Sequence, residues 1–223
     1  MPDAAPAVPD TPALRPDAER PVRDAPERWP VTHSAELARG RLLRVRVDTV
    51  TMPDGTRADR ELTEHPGAVA ILALDESDRV LVIRQYRHPA SALLWEIPAG
   101  LRDVAGEPLL ATAQRELLEE TGYRAADWHV LTDFLTSPGS STERVRVFLA
   151  RGLTEVPAAE RDYVPEYEEA SLQVAWLPLD EAVRGFLAGD LHNGVAAVGI
   201  LSAYAAIKIG FGGLRETGAP ETA

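Results

Sequence analysis

Residues 107–122 of this chain read EPLLATAQRELLEETG, and this stretch decides how the rest of the sequence is interpreted. Proline is favoured at the first position of an α-helix and glycine just beyond its end, so Pro108 and Gly122 predict a helix over 108–121. Three apolar side chains recur at helical spacing and predict the face that packs on a core: Leu110, Ala113 and Leu117. A helix with such ends and one apolar face indicates a globular domain.

Three glutamates lie beside the apolar face of that helix: Glu116, Glu119 and Glu120. Side chains three and four residues apart are neighbours, and each close pair of like charges destabilises a helix by about 0.2–0.5 kcal/mol. The glutamates also fall in the last turn, where the helix dipole disfavours anions. On its own such a run is more often a solvated acidic surface, and the alternative is that its oxygens bind a hard divalent cation.

The composition of the chain excludes several classes of protein. Its 35 acidic residues outnumber its 23 lysines and arginines, which gives a formal net charge of −12 at pH 7. Phosphates would be repelled, so we expect no sequence-independent binding of nucleic acid or of an anionic membrane. The chain has no cysteine, and this excludes disulfides, thiolate zinc sites and a cysteine nucleophile.

No segment of the sequence predicts secretion or insertion into a membrane. Met1 is followed by Pro2 and Asp3 rather than by the basic start and apolar run of a secretory signal. The longest apolar stretch, 195–211, contains Lys208 and is shorter than the roughly 20 residues that cross a bilayer. We therefore expect a cytoplasmic protein.

Composition divides the chain into four segments. Residues 1–30 are rich in Pro, Ala, Asp and Arg and poor in large apolar side chains, so we expect a disordered tail. Residues 214–223 are predicted to form a second, shorter tail. Residues 31–65 are predicted to form a small N-terminal β-hairpin region, and the main domain occupies 66–213.

The N-terminal region has its own local pattern. Residues 40–64 alternate between apolar and polar side chains around a turn at Pro53-Asp54-Gly55, which predicts an antiparallel hairpin. An isolated two-stranded hairpin is marginally stable in water. We therefore expect it to pack on the main domain or on a second copy of the chain.

Strands and helices are mixed within the main domain. Apolar runs at 68–74 and 79–85 flank an acidic turn and predict another hairpin. Further elements are expected as strands at 93–97, 129–136, 143–150 and 171–177, helices at 179–188 and 192–209, and an acidic loop over 152–170. Since these elements do not repeat as regular β-α-β units, we expect a mixed-sheet sandwich of the α/β (α+β) class.

The glutamate helix belongs to a longer motif that resembles the Nudix box, found in hydrolases of nucleoside diphosphates linked to another group. The matching residues are Gly100, Glu107, Arg115, Glu116, Glu119, Glu120 and Gly122. The chain departs from the family in having six residues rather than five between Gly100 and Glu107, which leaves the helix intact. The resemblance implies a Nudix-type α/β/α sandwich and a bound divalent cation, Mg²⁺ or Mn²⁺.

The resemblance also implies roles for the residues around this cation. Four residues are implied to hold it, Ala99 by its main-chain carbonyl and Glu119 either directly or through another ligand: Ala99, Glu116, Glu119 and Glu120. Glu120 is also implied to be catalytic, Arg115 to hold a ligand carboxylate, and Glu107 to close the loop before the helix. Such chemistry needs no protein nucleophile, because bound metal ions polarise a phosphoryl oxygen and activate water.

Segments outside this motif are similar to the ADP-ribose pyrophosphatase branch of the family. They are Arg60-Glu61 with HPGAV at 65–69, QYRHP at 85–89, WEIPAG at 95–100 and SPG at 137–139. The resemblance implies hydrolysis of ADP-ribose to AMP and ribose 5-phosphate by a homodimer. It implies that Arg87 contacts a substrate phosphate, and that Arg60 and Glu61, on a hairpin exchanged across the two-fold axis, contact adenine. Leu101 and Ser137 match positions that contact the ribose or the adenosine.

A catalytic base is implied to come from the acidic loop after the motif, and spacing to the next strand favours Glu169 and then Glu168. Two other functions stay open. A nucleoside-diphosphate-sugar pyrophosphatase would share the scaffold and differ in the loops that line the pocket. A non-catalytic regulator that binds a ligand would show an eroded motif and an attached DNA-binding helix pair, whereas the glutamates here are intact.

Overall fold

A computed structural model describes residues 23–161, 163 and 171–221 of the chain. Within these ranges, ten strands and three α-helices follow one another. The strands are β1 (Val31–Arg39), β2 (Arg44–Thr51), β3 (Arg57–Glu64), β4 (Ala68–Ala73), β5 (Arg79–Arg87), β6 (Ala92–Glu96), β7 (Ala99–Leu101), β8 (Tyr123–Leu135), β9 (Arg144–Glu155) and β10 (Gln173–Pro178). The helices are α1 (Leu109–Thr121), α2 (Leu179–Ala188) and α3 (Gly194–Ile209).

Three sheets organise these strands. A four-stranded sheet has the order β7-β4-β9-β8, with β4 parallel to β9 and the other neighbours antiparallel. One three-stranded sheet has the order β10-β5-β6 and another, at the N-terminal end, the order β1-β2-β3; both are antiparallel. Because parallel and antiparallel pairs occur together with helices, the predicted mixed-sheet α/β class is confirmed.

The core lies on both faces of the four-stranded sheet. Strand β4 reads AVAILA and is buried from Val69 onwards, as expected of a central strand that is covered on both sides. Ala70 and Leu72 face the other main-domain sheet together with α2 and α3. Val69 and Ile71 face α1 and contact the cluster that contains Leu117. The apolar face predicted for α1 therefore packs on this sheet and fixes the position of the helix.

The predicted hairpin over 68–85 is wrong. The turn closes, since the Asp75 amide donates to the Arg79 carbonyl at 3.0 Å and Leu74 forms an isolated bridge with Val80. The two strands then diverge, because β4 pairs with β7 and β9 whereas β5 pairs with β6 and β10. Alternation and turn residues report local structure, and the choice of partner strand depends on long-range packing.

The N-terminal sheet contains the expected hairpin and one strand more. Strands β2 and β3 pair over their whole length, from Arg44 opposite Glu64 to Thr51 opposite Arg57. Strand β1 adds to the other edge of β2, although its largely exposed residues show little apolar alternation. The end of β3 bonds to the loop after β8, because the Thr63 amide donates to the Ser140 carbonyl at 2.9 Å. The sheet thus contacts the main domain of its own chain at this point.

Residues 214–221, predicted as part of a tail, lie against the four-stranded sheet and are called the C-terminal strap below. The Val130 amide of edge strand β8 donates to the Arg215 carbonyl at 2.9 Å. The Arg146 guanidinium of β9 donates to the Ala219 carbonyl at 2.8 Å, and Arg102 pairs with Glu221 at 2.9 Å. The strap therefore crosses the sheet from β8 towards the end of β7.

The remaining predicted elements agree closely with the structure. Helix α2 occupies 179–188 as predicted, and α3 begins two residues later than expected. Helix α1 begins at Leu109, with Pro108 as its cap residue. Strands β8 and β9 are longer than the apolar runs that predicted them. In the described part of the chain, no helix combines the length and apolar character needed to cross a membrane.

Candidate active site

Helix α1 presents its glutamates to the backbone of β7. A Cβ atom built on Gly100 would lie 2.1 Å from the Glu116 carboxyl group, so only glycine leaves room for that side chain. The Ala99 amide donates a hydrogen bond to Oε2 of Glu120 at 2.9 Å. Glu116 and Glu120, two of the four predicted metal ligands, therefore contact the strand that carries another of them, the main-chain carbonyl of Ala99.

Arg115 connects the glutamates of α1 with the loop before the helix. Its Nη1 donates to Oε1 of Glu116 at 2.7 Å and to Oε2 of Glu119 at 3.1 Å, and its Nη2 donates to Oε2 of Glu107 at 3.2 Å. Glu107 also accepts a hydrogen bond from the Thr112 hydroxyl at 2.8 Å. The hydrogen bond with Glu107 contributes most to raising the pKa of Arg115, and the same bond lowers the pKa of Glu107. Arg115 thus donates hydrogen bonds to three carboxylates.

A second arginine stands at the end of α1, whose last turn contains no basic residue of its own. Gly122 ends the helix in the left-handed conformation (φ 74°) and its amide donates to the Leu118 carbonyl at 2.8 Å. The Arg161 guanidinium lies over this residue, since a Cβ on Gly122 would be 2.1 Å from its central carbon. Positive charge at a helix C-terminus is favourable. Arg161, which lies outside the helix, therefore offsets part of the negative charge of the last turn.

The carboxylates fit a divalent cation by their chemistry. Glu116, Glu119, Glu120 and the Ala99 carbonyl offer oxygen donors, which Mg²⁺ and Mn²⁺ prefer. Among the residues that the structure describes, no three His, Asp or Glu side chains converge closely enough to enclose a metal ion. Glu116 and Glu119 instead contact Arg115, so binding a cation requires some of these contacts to change.

Arg87, the predicted phosphate contact, lies at the end of β5 and pairs with a carboxylate that the sequence analysis did not single out. Its Nε donates to Oε1 of Glu96 at 2.9 Å and its Nη2 donates to Oε2 at 2.6 Å. Nε2 of Gln85 donates to the same Oε2 at 3.2 Å. The Glu96 side chain is 3% exposed and that of Arg87 is 46% exposed. An acidic residue inside the apolar run LLWEI was the available signal for this pair.

Three other predicted substrate contacts lie on β3 and in the loop after β8. Arg60 and Glu61 are exposed on β3, and Arg60 donates to the Asp59 carbonyl at 3.0 Å. Ser137 is exposed in the loop after β8, with its hydroxyl 3.1 Å from that of Ser140. Because this loop bonds to Thr63, the structure brings the Ser137 loop to the end of the strand that carries Glu61.

Two predicted groups remain to be placed. Leu101 is half-buried in β7, opposite Ala68 of β4. Glu169 and Glu168, the two candidates for the catalytic base, lie outside the described residues. The structure therefore brings Glu116 and Glu120 to the backbone of β7, which also carries Leu101, whereas Glu119 contacts Arg115.

The motif on α1 and the mixed sheets behind it define a class of protein, and comparison with known proteins agrees. Residues 64–197 match the NUDIX domain, and residues 29–62 match the nucleoside diphosphate sugar hydrolase N-terminal domain. The chain belongs to the Nudix hydrolases, a family that depends on divalent metal ions.

Individual proteins show the same relationship. The chain is 46% identical to an ADP-ribose pyrophosphatase of Mycobacterium tuberculosis over 80% of its own length and 84% of that protein. It is 38% identical to an ADP-ribose pyrophosphatase of Bacillus subtilis, over 63% of this chain and 77% of the other. A crystal structure of an ADP compounds hydrolase matches with a TM-score of 0.68 at 23% identity, covering 85% of this chain and 99% of that one. The last comparison shows the shared fold.

Proposed function

We propose that this protein hydrolyses the diphosphate of ADP-ribose to AMP and ribose 5-phosphate, with Mg²⁺ as its cation and Mn²⁺ as a substitute. One observation carries the proposal: α1 packs the carboxylates of Glu116 and Glu120 on the Gly100 and Ala99 backbone. The relationship to the Mycobacterium tuberculosis ADP-ribose pyrophosphatase supports the choice of substrate.

In this mechanism the residues of the chain bind the cation and orient its ligands. When bound, the cation polarises a phosphoryl oxygen and lowers the pKa of water. Glu116, Glu119, Glu120 and the Ala99 carbonyl would hold it, and Arg115 would orient the Glu116 and Glu119 side chains. Water adds to one phosphorus, the bridging P–O bond breaks, and the bridging oxygen leaves with the other phosphate.

The proton of the attacking water goes to a base in the predicted acidic loop. Glu169 is the first candidate and Glu168 the second, on the spacing argument given above. Substituting Glu169 by Gln should lower kcat by about 10²–10⁴-fold with KM little changed, as expected for removal of a general base. Single-turnover rates of Glu168→Gln and Glu169→Gln compare the two directly, and a larger loss in Glu168→Gln would reverse the assignment.

The proposal includes a homodimer in which the N-terminal sheet contacts the partner. Strand β1 is exposed along almost its whole length, and Val31 and Leu37 are 52% and 59% exposed. Deleting residues 1–64 should then yield an aggregated or inactive chain, whereas deleting 1–30 should leave both the oligomeric state and the activity unchanged. Light scattering and activity of both deletions test this point, and a fully active monomer lacking 1–64 would contradict it.

A nucleoside-diphosphate-sugar pyrophosphatase is the second candidate, because the match over 29–62 carries that description. Chromatography of products from ADP-ribose, ADP-glucose and GDP-mannose with Mg²⁺ separates the two functions. We expect the highest kcat/KM for ADP-ribose, with AMP as a product, and no turnover in excess EDTA. Preference for another substrate would select the second candidate. Binding without turnover of any of the three would indicate a ligand-binding regulator.

A further inference from the structure

We propose that Glu96 is a positioning residue that holds the guanidinium of Arg87 in the orientation required by a substrate phosphate. This inference rests on the proposed function to the extent that Arg87 contacts that phosphate. Glu96 lies on β6, one strand away from Arg87, and its carboxylate accepts three hydrogen bonds within 3.2 Å. It belongs neither to the glutamates of α1 nor to the acidic loop.

The contact between the two side chains is directional. Each oxygen of Glu96 receives one nitrogen of Arg87, at 2.9 Å from Nε and 2.6 Å from Nη2. Such a pair of parallel hydrogen bonds fixes the plane of the guanidinium as well as its position. Glu96 engages the Nε–Nη2 edge, and the Nη1 nitrogen lies beyond this edge. The pairing therefore sets the direction in which the rest of the guanidinium points.

The burial of Glu96 makes it a fixed point. Its side chain is 3% exposed, and a buried carboxylate is costly unless it is paired and hydrogen-bonded. In the β5–β6 register Glu96 lies opposite Ile83, and Gln85 follows two residues later on the same face of β5. The amide of Gln85 holds Oε2 of Glu96 from that side. The carboxylate is thus anchored in the sheet, while Arg87 extends from it and is 46% exposed.

The same segment connects Arg87 with helix α1. Glu96 ends β6, and Ala99, three residues later, donates its amide to Glu120. A displacement of residues 96–99 would therefore move the arginine and the backbone beside the glutamates together. An arginine held in advance loses less rotamer freedom when a phosphate binds than one that moves in solvent. Glu96 accordingly favours substrate binding without contacting substrate.

A double-mutant cycle tests this role. Glu96→Gln keeps the shape of the side chain and removes its charge, and we expect it to raise KM by about 3–10-fold with kcat within threefold of wild type. In an Arg87→Ala background the same substitution should change KM by less than about twofold, since its target is absent. If Glu96→Gln raises KM by the same factor in the wild-type and the Arg87→Ala backgrounds, Glu96 acts independently of Arg87 and the inference is overturned.

Two controls keep the result interpretable. Glu216→Gln, at an exposed residue of the C-terminal strap, should leave both constants unchanged. Circular dichroism and thermal melts show whether each variant is folded. Should Glu96→Gln not fold, Glu96→Asp, which keeps the charge and withdraws the carboxylate, takes its place in the cycle with the same expectation.

The substrate of the cycle is the one that the wild-type chain hydrolyses best in the panel above. Failure of ADP-ribose in that panel overturns the proposed function and leaves the cycle to be run on the preferred substrate. If the chain hydrolyses none of the three, the cycle is run on the dissociation constant of ADP-ribose by calorimetry. Absence of measurable binding by the wild-type chain would overturn both proposals.

Discussion

Two charged clusters lie on the same face of the four-stranded sheet and differ in how their charges are satisfied. The residues Gly100, Val69, Arg146 and Asp133 are neighbours across β7, β4, β9 and β8. The first cluster, beside Gly100, contains the α1 glutamates, Glu107 and Arg115. The second, at the other edge, contains Asp133, Arg146 and Arg215 and is closed by the C-terminal strap.

The second cluster is paired and buried. Arg146 and Asp133 are joined by two hydrogen bonds of 2.7 and 2.9 Å, and their side chains are 3% and 8% exposed. Arg215 donates to Asp133 at 2.9 Å, and the Ala219 carbonyl accepts from Arg146. In the first cluster Arg115, 33% exposed, pairs with Glu107, Glu116 and Glu119, and the fourth glutamate accepts a hydrogen bond from the Ala99 amide. Four carboxylates beside one arginine leave an excess of negative charge that suits a cation, whereas a paired and buried cluster stabilises the fold.

The largest expected effect comes from breaking the buried cluster. Asp133→Asn leaves Arg146 buried without its carboxylate partner, which typically costs about 3–5 kcal/mol of the free energy of unfolding. Urea titration of the variant and the wild type measures this difference. The rate constant kcat of the folded fraction should stay close to wild type, and a stable variant with low kcat would place Asp133 in the active site instead.

The Asp133 carboxylate should also make the free energy of unfolding depend on pH. Burial by itself would raise the pKa of Asp133, but hydrogen bonds from Arg146 and Arg215 outweigh it and lower the pKa in the folded state. Its contribution to stability is therefore complete above the unfolded pKa of about 3.9 and disappears as the pH falls through the lower folded value. The stability difference between wild type and Asp133→Asn should be constant from pH 7 to about pH 5 and shrink below pH 4.

Removing one charge from the first cluster should lower kcat and leave stability intact, the reverse of what we expect for Asp133→Asn. Under the proposed function, Glu120→Gln withdraws a ligand from a cation that contributes several kcal/mol to the transition state, so kcat should fall by about 10²–10³-fold. The free energy of unfolding should be unchanged or rise by about 0.2–0.5 kcal/mol, because like charges on α1 are separated. Steady-state rates and thermal melts measure both, with Glu216→Gln as the matched control. Near-wild-type rates would contradict the proposal that Glu120 binds the cation.

Deleting residues 214–223 tests whether the strap belongs to the buried cluster. The deletion removes the Arg215 and Ala219 contacts and the Arg102–Glu221 pair, and hydrogen bonds to charged groups contribute about 1.5–3 kcal/mol each. Because Arg102, Glu221 and Arg215 are partly exposed, solvent discounts their pairs to at most about 1 kcal/mol each, and Asp133 and Arg146 still pair. We therefore expect a loss of about 2–3 kcal/mol, less than in Asp133→Asn. A melting temperature equal to that of the full chain would support the original tail prediction.

The smallest effect is expected at an exposed ion pair that belongs to neither cluster. Arg184 and Asp180 pair along α2 with side chains 66% and 58% exposed. Solvent and salt screen such pairs, so Arg184→Gln should change the free energy of unfolding by less than about 0.5 kcal/mol. A loss comparable to that of Asp133→Asn would show that exposure is a poor guide to the role of charges in this protein.

The sequence by itself determined the local features of the candidate active site. Pro108, Gly122 and the apolar stripe of α1 were sufficient to place the helix, because caps and helical periodicity depend on neighbours within a few residues. The same spacing placed Glu116, Glu119 and Glu120 side by side. It also showed their excess charge, which had to be compensated by something beyond the helix.

Tertiary structure alone decided which distant groups supply that environment. It separated β4 from β5, brought Gly100 against Glu116, paired Arg87 with Glu96 and folded the strap onto Arg146. These contacts join residues that are far apart in the chain or belong to different strands, and no local spacing encodes them. They form because buried charges require partners and apolar faces require cover, and only the complete fold determines which residues are near enough to provide them.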